Sequence, residues 1–284
     1  MFGWIASIFA SKKNVSSERV SAFQGQEPDL DLRGVICGVG AAGVAAEQDV
    51  LNGVRAEGIL RTDGFDDPEF EPAFLFVIGT VEDLWQDSEK AAIWRNRAWC
   101  HFALVLDKEF DLNDSDLKVL AERYDSVIPL IGVGAGSVIE AATAIVHANL
   151  EVFIKQGIVC VDYADMATVL KYMGGILYAQ VATYVPPEKY GPVMVESLRS
   201  DRNLSLLPLV TGVVSTSIAD INFAMIDFDE HMNALRDLVN ECAIIVGGGP
   251  HGVYELSEHE PGMSVMLCSF AEYNAERFKK DRGQ

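Results

Sequence analysis

The chain is predicted to be an α/β protein built on a parallel sheet, and three features of its 284 residues lead there. Between residues 32 and 131 short apolar runs alternate with helical ones, the pattern of strands joined by crossover helices. A glycine-rich turn, Gly38-Val39-Gly40-Ala41-Ala42-Gly43, stands where the first strand hands over to the first helix. A long apolar helical run at 137–156 then introduces a region in which helices and strands segregate, as in an α+β layer. With 49% hydrophobic and 23% charged residues, the chain can bury a large core and divide it between domains.

Residues 1–13 come first. At about 100° per residue Phe2, Trp4, Ile5, Ile8 and Phe9 share one arc, Gly3, Ala6, Ser7, Ala10 and Ser11 fill the other, and Lys12 and Lys13 follow. This amphipathic helix is expected to lie in the plane of a membrane surface, its lysines against anionic head groups; a tail that is disordered or packs on its own domain is the other reading. Loss of liposome co-sedimentation on deleting residues 1–13 is the check. Residues 14–31 are polar and turn-rich, a linker.

Strands are predicted at 35–39, 58–61, 73–78, 101–106 and 125–131, with helices from about 41, at 83–97 and at 115–124. Together they make a Rossmann-like N-terminal domain over residues 32–136, with helices on both faces of the sheet. The helix at 137–156 is apolar on most of its faces, as suits a long central helix buried between two layers. Helices at 165–174, 188–199 and 229–240 and strands at 207–214, 217–223, 243–246 and 263–270 form an α+β sandwich C-terminal domain over 157–272. A tail, 273–284, follows.

A formal charge of −20 with no gathered Lys and Arg excludes a nucleic-acid surface. Cys37, Cys100, Cys160, Cys242 and Cys268 are odd in number, widely spaced and mostly in apolar runs, which points to reduced core thiols and a cytoplasmic setting, with residues 1–13 placing the chain at the inner face of the membrane. His101, His147, His231, His251 and His259 stand apart, so no metal site is expected. The longest apolar stretch, 127–146, is interrupted by Pro129, three glycines and Glu140 and does not span a bilayer. Residues 1–13 lack the parts of a secretory leader.

The turn from Gly38 to Gly43 fits G-x-G-x-x-G and could seat phosphate oxygens on free helix N–H groups, making Gly38, Gly40, Ala41, Ala42 and Gly43 the candidate cofactor-binding residues. A dinucleotide enzyme would also need an acid after the next strand, near Asp63, and a purely structural turn would need nothing more.

The segment Gly157-Ile158-Val159-Cys160-Val161-Asp162-Tyr163-Ala164-Asp165-Met166-Ala167-Thr168-Val169-Leu170-Lys171-Tyr172-Met173-Gly174 is similar to the part of the tubulin/FtsZ family where a central helix ends in an acidic N-V-D-F-A-D loop. There the chain re-enters a helix ending in Met-Gly. Met225-Ile226-Asp227-Phe228-Asp229-Glu230 resembles the family's turn into its last long helix, Ala243 to Gly247 and Ser264 to Leu267 its closing strands, and Gly38 to Gly43 its first phosphate loop. The resemblance implies the tubulin/FtsZ-like fold, GTP or GDP in the N-terminal domain, and an acidic loop, Asp162 and Asp165, that acts on the nucleotide of a neighbouring subunit. Cys160 stands where the family has Asn. Asp165 as a simple helix cap is the competing assignment.

The family's GGGTGTG loop is replaced here by Gly79-Thr80-Val81-Glu82-Asp83-Leu84-Trp85. Thr80 and Asp83 form a capping box, and Glu82 and Asp83 bring negative charge that repels a phosphate by at least about 1 kcal/mol each at contact distance, even in high dielectric. About ten residues join Asp63 to the next strand where the family has a further helix and loop, and Glu140-Ala141-Ala142-Thr143-Ala144 lacks the Asn and Asp that contact guanine. The expected function is an FtsZ-like cytoskeletal or cell-division accessory protein that assembles with itself or a genuine FtsZ, holds no cofactor and does not hydrolyse GTP. A GTP-binding, slow polymerising GTPase is the alternative, and a dinucleotide enzyme the lower one.

Overall fold

Alternate residues along the strands of the N-terminal half face different helices, and this organises the fold. A computed structural model describes residues 34–54, 60–61, 70–86, 88–154, 161, 163–185, 209–218, 225–239, 241, 243–248 and 262–270. Both of its sheets lie in one unit, Leu32–Gln284.

The first sheet contains β1 (Gly34–Gly38), β2 (Leu60–Arg61), β3 (Phe74–Gly79), β4 (Cys100–Glu109), β5 (Ser126–Ile131) and β6 (Gly175–Ile176), all parallel, in the order β2-β1-β3-β4-β5-β6. Val35, Cys37, Leu75, Val77, Ala103 and Val105 pack on one side, with α2 (Val81–Gln86), α3 (Glu89–Arg97) and α4 (Ser115–Arg123). Ile36, Phe74, Phe76, Phe102 and Leu104 pack on the other, with α1 (Gly40–Gly53) and α5 (Val138–Ile154). A parallel sheet covered on both faces needs such continuous apolar strands. Phe76 and Phe102 are register partners, and their rings stack at 4.9 Å.

The second sheet has the order β7-β10-β8-β9, from β7 (Tyr178–Val185), β8 (Val210–Ile218), β9 (Ile244–Gly248) and β10 (Gly262–Phe270). Its pairs are antiparallel except β8 with β9. Helix α5 packs against α1 and β5 and also against β7, β8 and β10, so it is buried from Ala144 to Val152, as expected of a central helix. On the far face of this sheet lies α7 (Met225–Leu238), with Met232 and Leu235 in one cluster with Met266 and Cys268. The thiols of Cys37, Cys100 and Cys268 are wholly buried.

Several elements differ from expectation. The helix predicted over 83–97 is two helices, because Ser88 caps a new start by accepting from the Ala91 amide at 3.0 Å. The strands predicted at 207–214 and 217–223 are one strand, Val210–Ile218, running through Ser215 and Thr216. The helix predicted at 165–174 begins at Tyr163 as α6 (Tyr163–Ala167) and continues as a π-helical turn, Thr168–Met173, whose Leu170 carbonyl accepts from the Ser126 hydroxyl. Strands β6 and β7 were not anticipated. The amphipathic segment at 1–13, the linker, the helix at 188–199 and the tail lie outside the described residues.

Candidate functional site

Strand β2 lies on one side of β1 and β3 on the other. The C-terminal ends of β1 and β3 therefore flank the point where chain order reverses, the usual place for a ligand in a parallel α/β sheet. Gly38, Val39 and Gly40 leave β1 there, and Gly79 and Thr80 leave β3.

The turn is closed by the protein's own groups. Gly40 has φ +69°, and Gly43 is pressed on β3 so closely that a Cβ on it would lie 2.2 Å from the Ile78 carbonyl oxygen. Val39 donates its N–H to that carbonyl at 2.9 Å, and Gly38 donates to the carboxylate of Glu47, which also pairs with Lys90 at 3.4 Å. Gly38 and Gly43 thus serve strand-to-helix packing whether or not a ligand is present. Val39, the N-cap of α1, supplies no side-chain bond, and Gly40, Ala41 and Ala42 are exposed.

The facing loop carries the acids. The Thr80 hydroxyl accepts from the Asp83 amide at 3.2 Å and donates to Asp83 Oδ2 at 2.7 Å. This turns the Asp83 carboxylate towards the first turn: a Cβ built on Gly40 would lie 2.1 Å from its Cγ and 2.2 Å from each oxygen. Asp107, at the end of β4, accepts the Val81 amide at 2.9 Å, so the first N–H of α2 is occupied as well. Beside α2 an open groove of about 420 Å³ is lined by Trp85, Glu82, Asp107, Lys108 and Asp116 among others. Its lysine is held by Asp114 at 2.8 Å and Asp116 at 2.9 Å, bonds that raise the Lys108 pKa above its ordinary 10.5.

As arranged, these residues do not fit a triphosphate. Phosphate oxygens laid over Gly40 would meet the Asp83 carboxylate, and the amides of Gly38, Val39, Val81 and Asp83 already have acceptors.

No family model matches the sequence, and no curated protein does. Among solved structures, CetZ2 from Haloferax volcanii, a GTPγS-bound protofilament, aligns with 88% of this chain and 99% of its own at 13% identity and a TM-score of 0.52. The chain has the tubulin/FtsZ fold. An empty FtsZ dimer from M. jannaschii (14% identity, 91% of this chain and 68% of that one, TM-score 0.48) and CetZ from Methanosaeta thermophila strain DSM 6194 (12%, 88% and 90%, 0.49) are also similar.

Within this tubulin/FtsZ fold, Glu140 and Thr143 occupy the start of the central helix. The Ser137 hydroxyl accepts the Glu140 amide at 3.1 Å, and Glu140 Oε2 accepts the Gly136 amide at 2.9 Å, a capping arrangement. Thr143 donates to the Ile139 carbonyl at 2.8 Å and packs against Gly53 of α1. Asp165 is exposed in the first turn of α6, where a carboxylate suits the helix dipole; because the helix starts at Tyr163, Asp165 is not its N-cap. Asp162 and Cys160, the membrane-facing set Phe2, Trp4, Ile5, Ile8 and Phe9, and Asp63 lie outside the described residues. Glu47 and Asp107 were not anticipated. Asp107 could have been noticed as the first charge after the apolar run of β4, whereas Glu47 reaches Gly38 only through the fold of α1.

Proposed function

We propose that this chain is a cytoskeletal assembly protein of the tubulin/FtsZ fold, that it works by protein–protein association with itself or with a genuine FtsZ, and that it does not turn GTP over. The observation that carries this is the Asp83 carboxylate set against Gly40, where a hydrolysing site needs an anion seat. Support for assembly comes from the fold, which CetZ2 displays in a protofilament. Asp162 and Asp165 are the proposed docking surface for a neighbouring subunit.

The test combines phosphate release with pelleting, with and without GTP, for the wild type and the Asp162→Ala/Asp165→Ala variant. The expected outcome is pelleting, alone or with an authentic FtsZ, that the double substitution weakens, with phosphate release at the level of a protein-free blank. GTP turnover above that blank and lost in the double variant would establish the second reading, a slow GTP-dependent polymer. The uncapped, exposed start of α1 at Gly40, Ala41 and Ala42 is what favours that reading.

A further inference from the structure

The two loops that meet at the reversal point carry opposite electrostatic signs. Helix α1 starts without a side-chain cap and without an acidic residue in its first turn, so its positive end is bare. The described anion beside it is one the chain supplies itself. Asp83 is braced from behind by Thr80, which fixes its carboxylate against Gly40, and Glu47 closes the inner side of the same turn on the Gly38 amide. Lys90 holds Glu47 in place at 3.4 Å.

We propose that Asp83 is a built-in stand-in for a phosphate group: it occupies the ground over the Gly38–Gly43 turn, keeps the turn in one conformation, and shuts out inorganic phosphate and the phosphate end of a nucleotide. The inference rests on the reading of a site that takes no GTP, and it adds what Asp83 does to the turn and to small anions. Its consequence is a latent anion seat. Truncating Asp83 removes both the repulsion and the atoms over Gly40 and leaves the bare end of α1 facing solvent, so the variant acquires an affinity the wild type lacks.

Two measurements test it. In thermal unfolding with inorganic phosphate against chloride at matched ionic strength, the wild type is expected to show no specific shift. Asp83→Ala removes both the charge and the atoms that lie over Gly40, and it should gain about 2–4 °C once phosphate exceeds its dissociation constant severalfold. A phosphate shift of equal size in both proteins, or in neither, overturns the proposal. The second measurement does not depend on any added anion. Gly40→Ala should destabilise the wild type through both the collision with Asp83 and the positive φ, and should cost clearly less in an Asp83→Ala background, where only the φ strain remains. Equal costs in the two backgrounds would show that Asp83 does not sit on the turn. Neither measurement involves assembly, so a failure here is separable from failure of the pelleting test.

Discussion

Lys108 and Asp114 show how a single residue does two jobs. Asp114 Oδ1 caps α4 by accepting from the Asp116 amide at 2.8 Å and the Leu117 amide at 3.1 Å, while its Oδ2 takes the Lys108 ammonium at 2.8 Å. Burial on its own would raise the Asp114 carboxyl; the bond from Lys108 and the two amides outweigh it and hold the group below its ordinary 3.8. A depressed carboxyl adds stability that is present above its unfolded pKa and is lost as pH falls through the folded one. Lys108, raised above 10.5, adds stability that is present below that value and is lost as pH rises past it. Asp114→Ala should therefore cost about 1 kcal/mol near neutral pH, with the gap from wild type closing below about pH 4. Urea denaturation along a pH series measures this, and a gap that persisted unchanged into acid would contradict it.

Capping also decides where elements begin and end. The segment predicted as one helix over 83–97 breaks because both new ends are satisfied: Ser88 takes the Ala91 amide, and Arg123 donates to the Leu84 carbonyl at 3.1 Å and the Trp85 carbonyl at 2.6 Å. A serine between polar neighbours was a visible signal; the arginine, nearly forty residues away, was not. Ser88→Ala is expected to cost about 1 kcal/mol and Ser88→Gly less, by chemical denaturation. Strand β8 shows the converse. Ser215 and Thr216 resemble a turn in the sequence, yet Ser215 is buried and its hydroxyl meets His231 Nε2 of α7 at 2.8 Å, so the strand runs through them. Strand β7 escaped notice for a related reason: Gln180 interrupts its apolar pattern, and the Tyr178 hydroxyl, which donates to its Oε1 at 2.9 Å, helps to satisfy it where it is buried.

At the scale of the whole molecule, periodicity and the order of elements revealed the parallel sheet, the central helix and the second layer, because those depend on which residues are apolar. The site was half legible. The Thr80–Asp83 pair stood in the sequence as a capping box, but that its carboxylate leans on Gly40 depends on how two loops 40 residues apart are brought together by β1 and β3 lying side by side. The same packing makes a prediction about cooperativity. Helix α5 presses on the first sheet through β5 and on the second through β7, β8 and β10, so neither sheet keeps its core if the other opens. Three thiols can act as clocks for that opening. Cys37 and Cys100 are in the first sheet and Cys268 is in the second, all inaccessible, and burial pushes the Cys268 thiol up to about 12, so alkylation must wait for exposure. With Cys160→Ser and Cys242→Ser in place, iodoacetamide labelling followed by peptide mass mapping should give all three sites one shared rate constant. Distinct rates for Cys268 and for the other two would mean that the sheets open independently and that the central helix is a hinge between them.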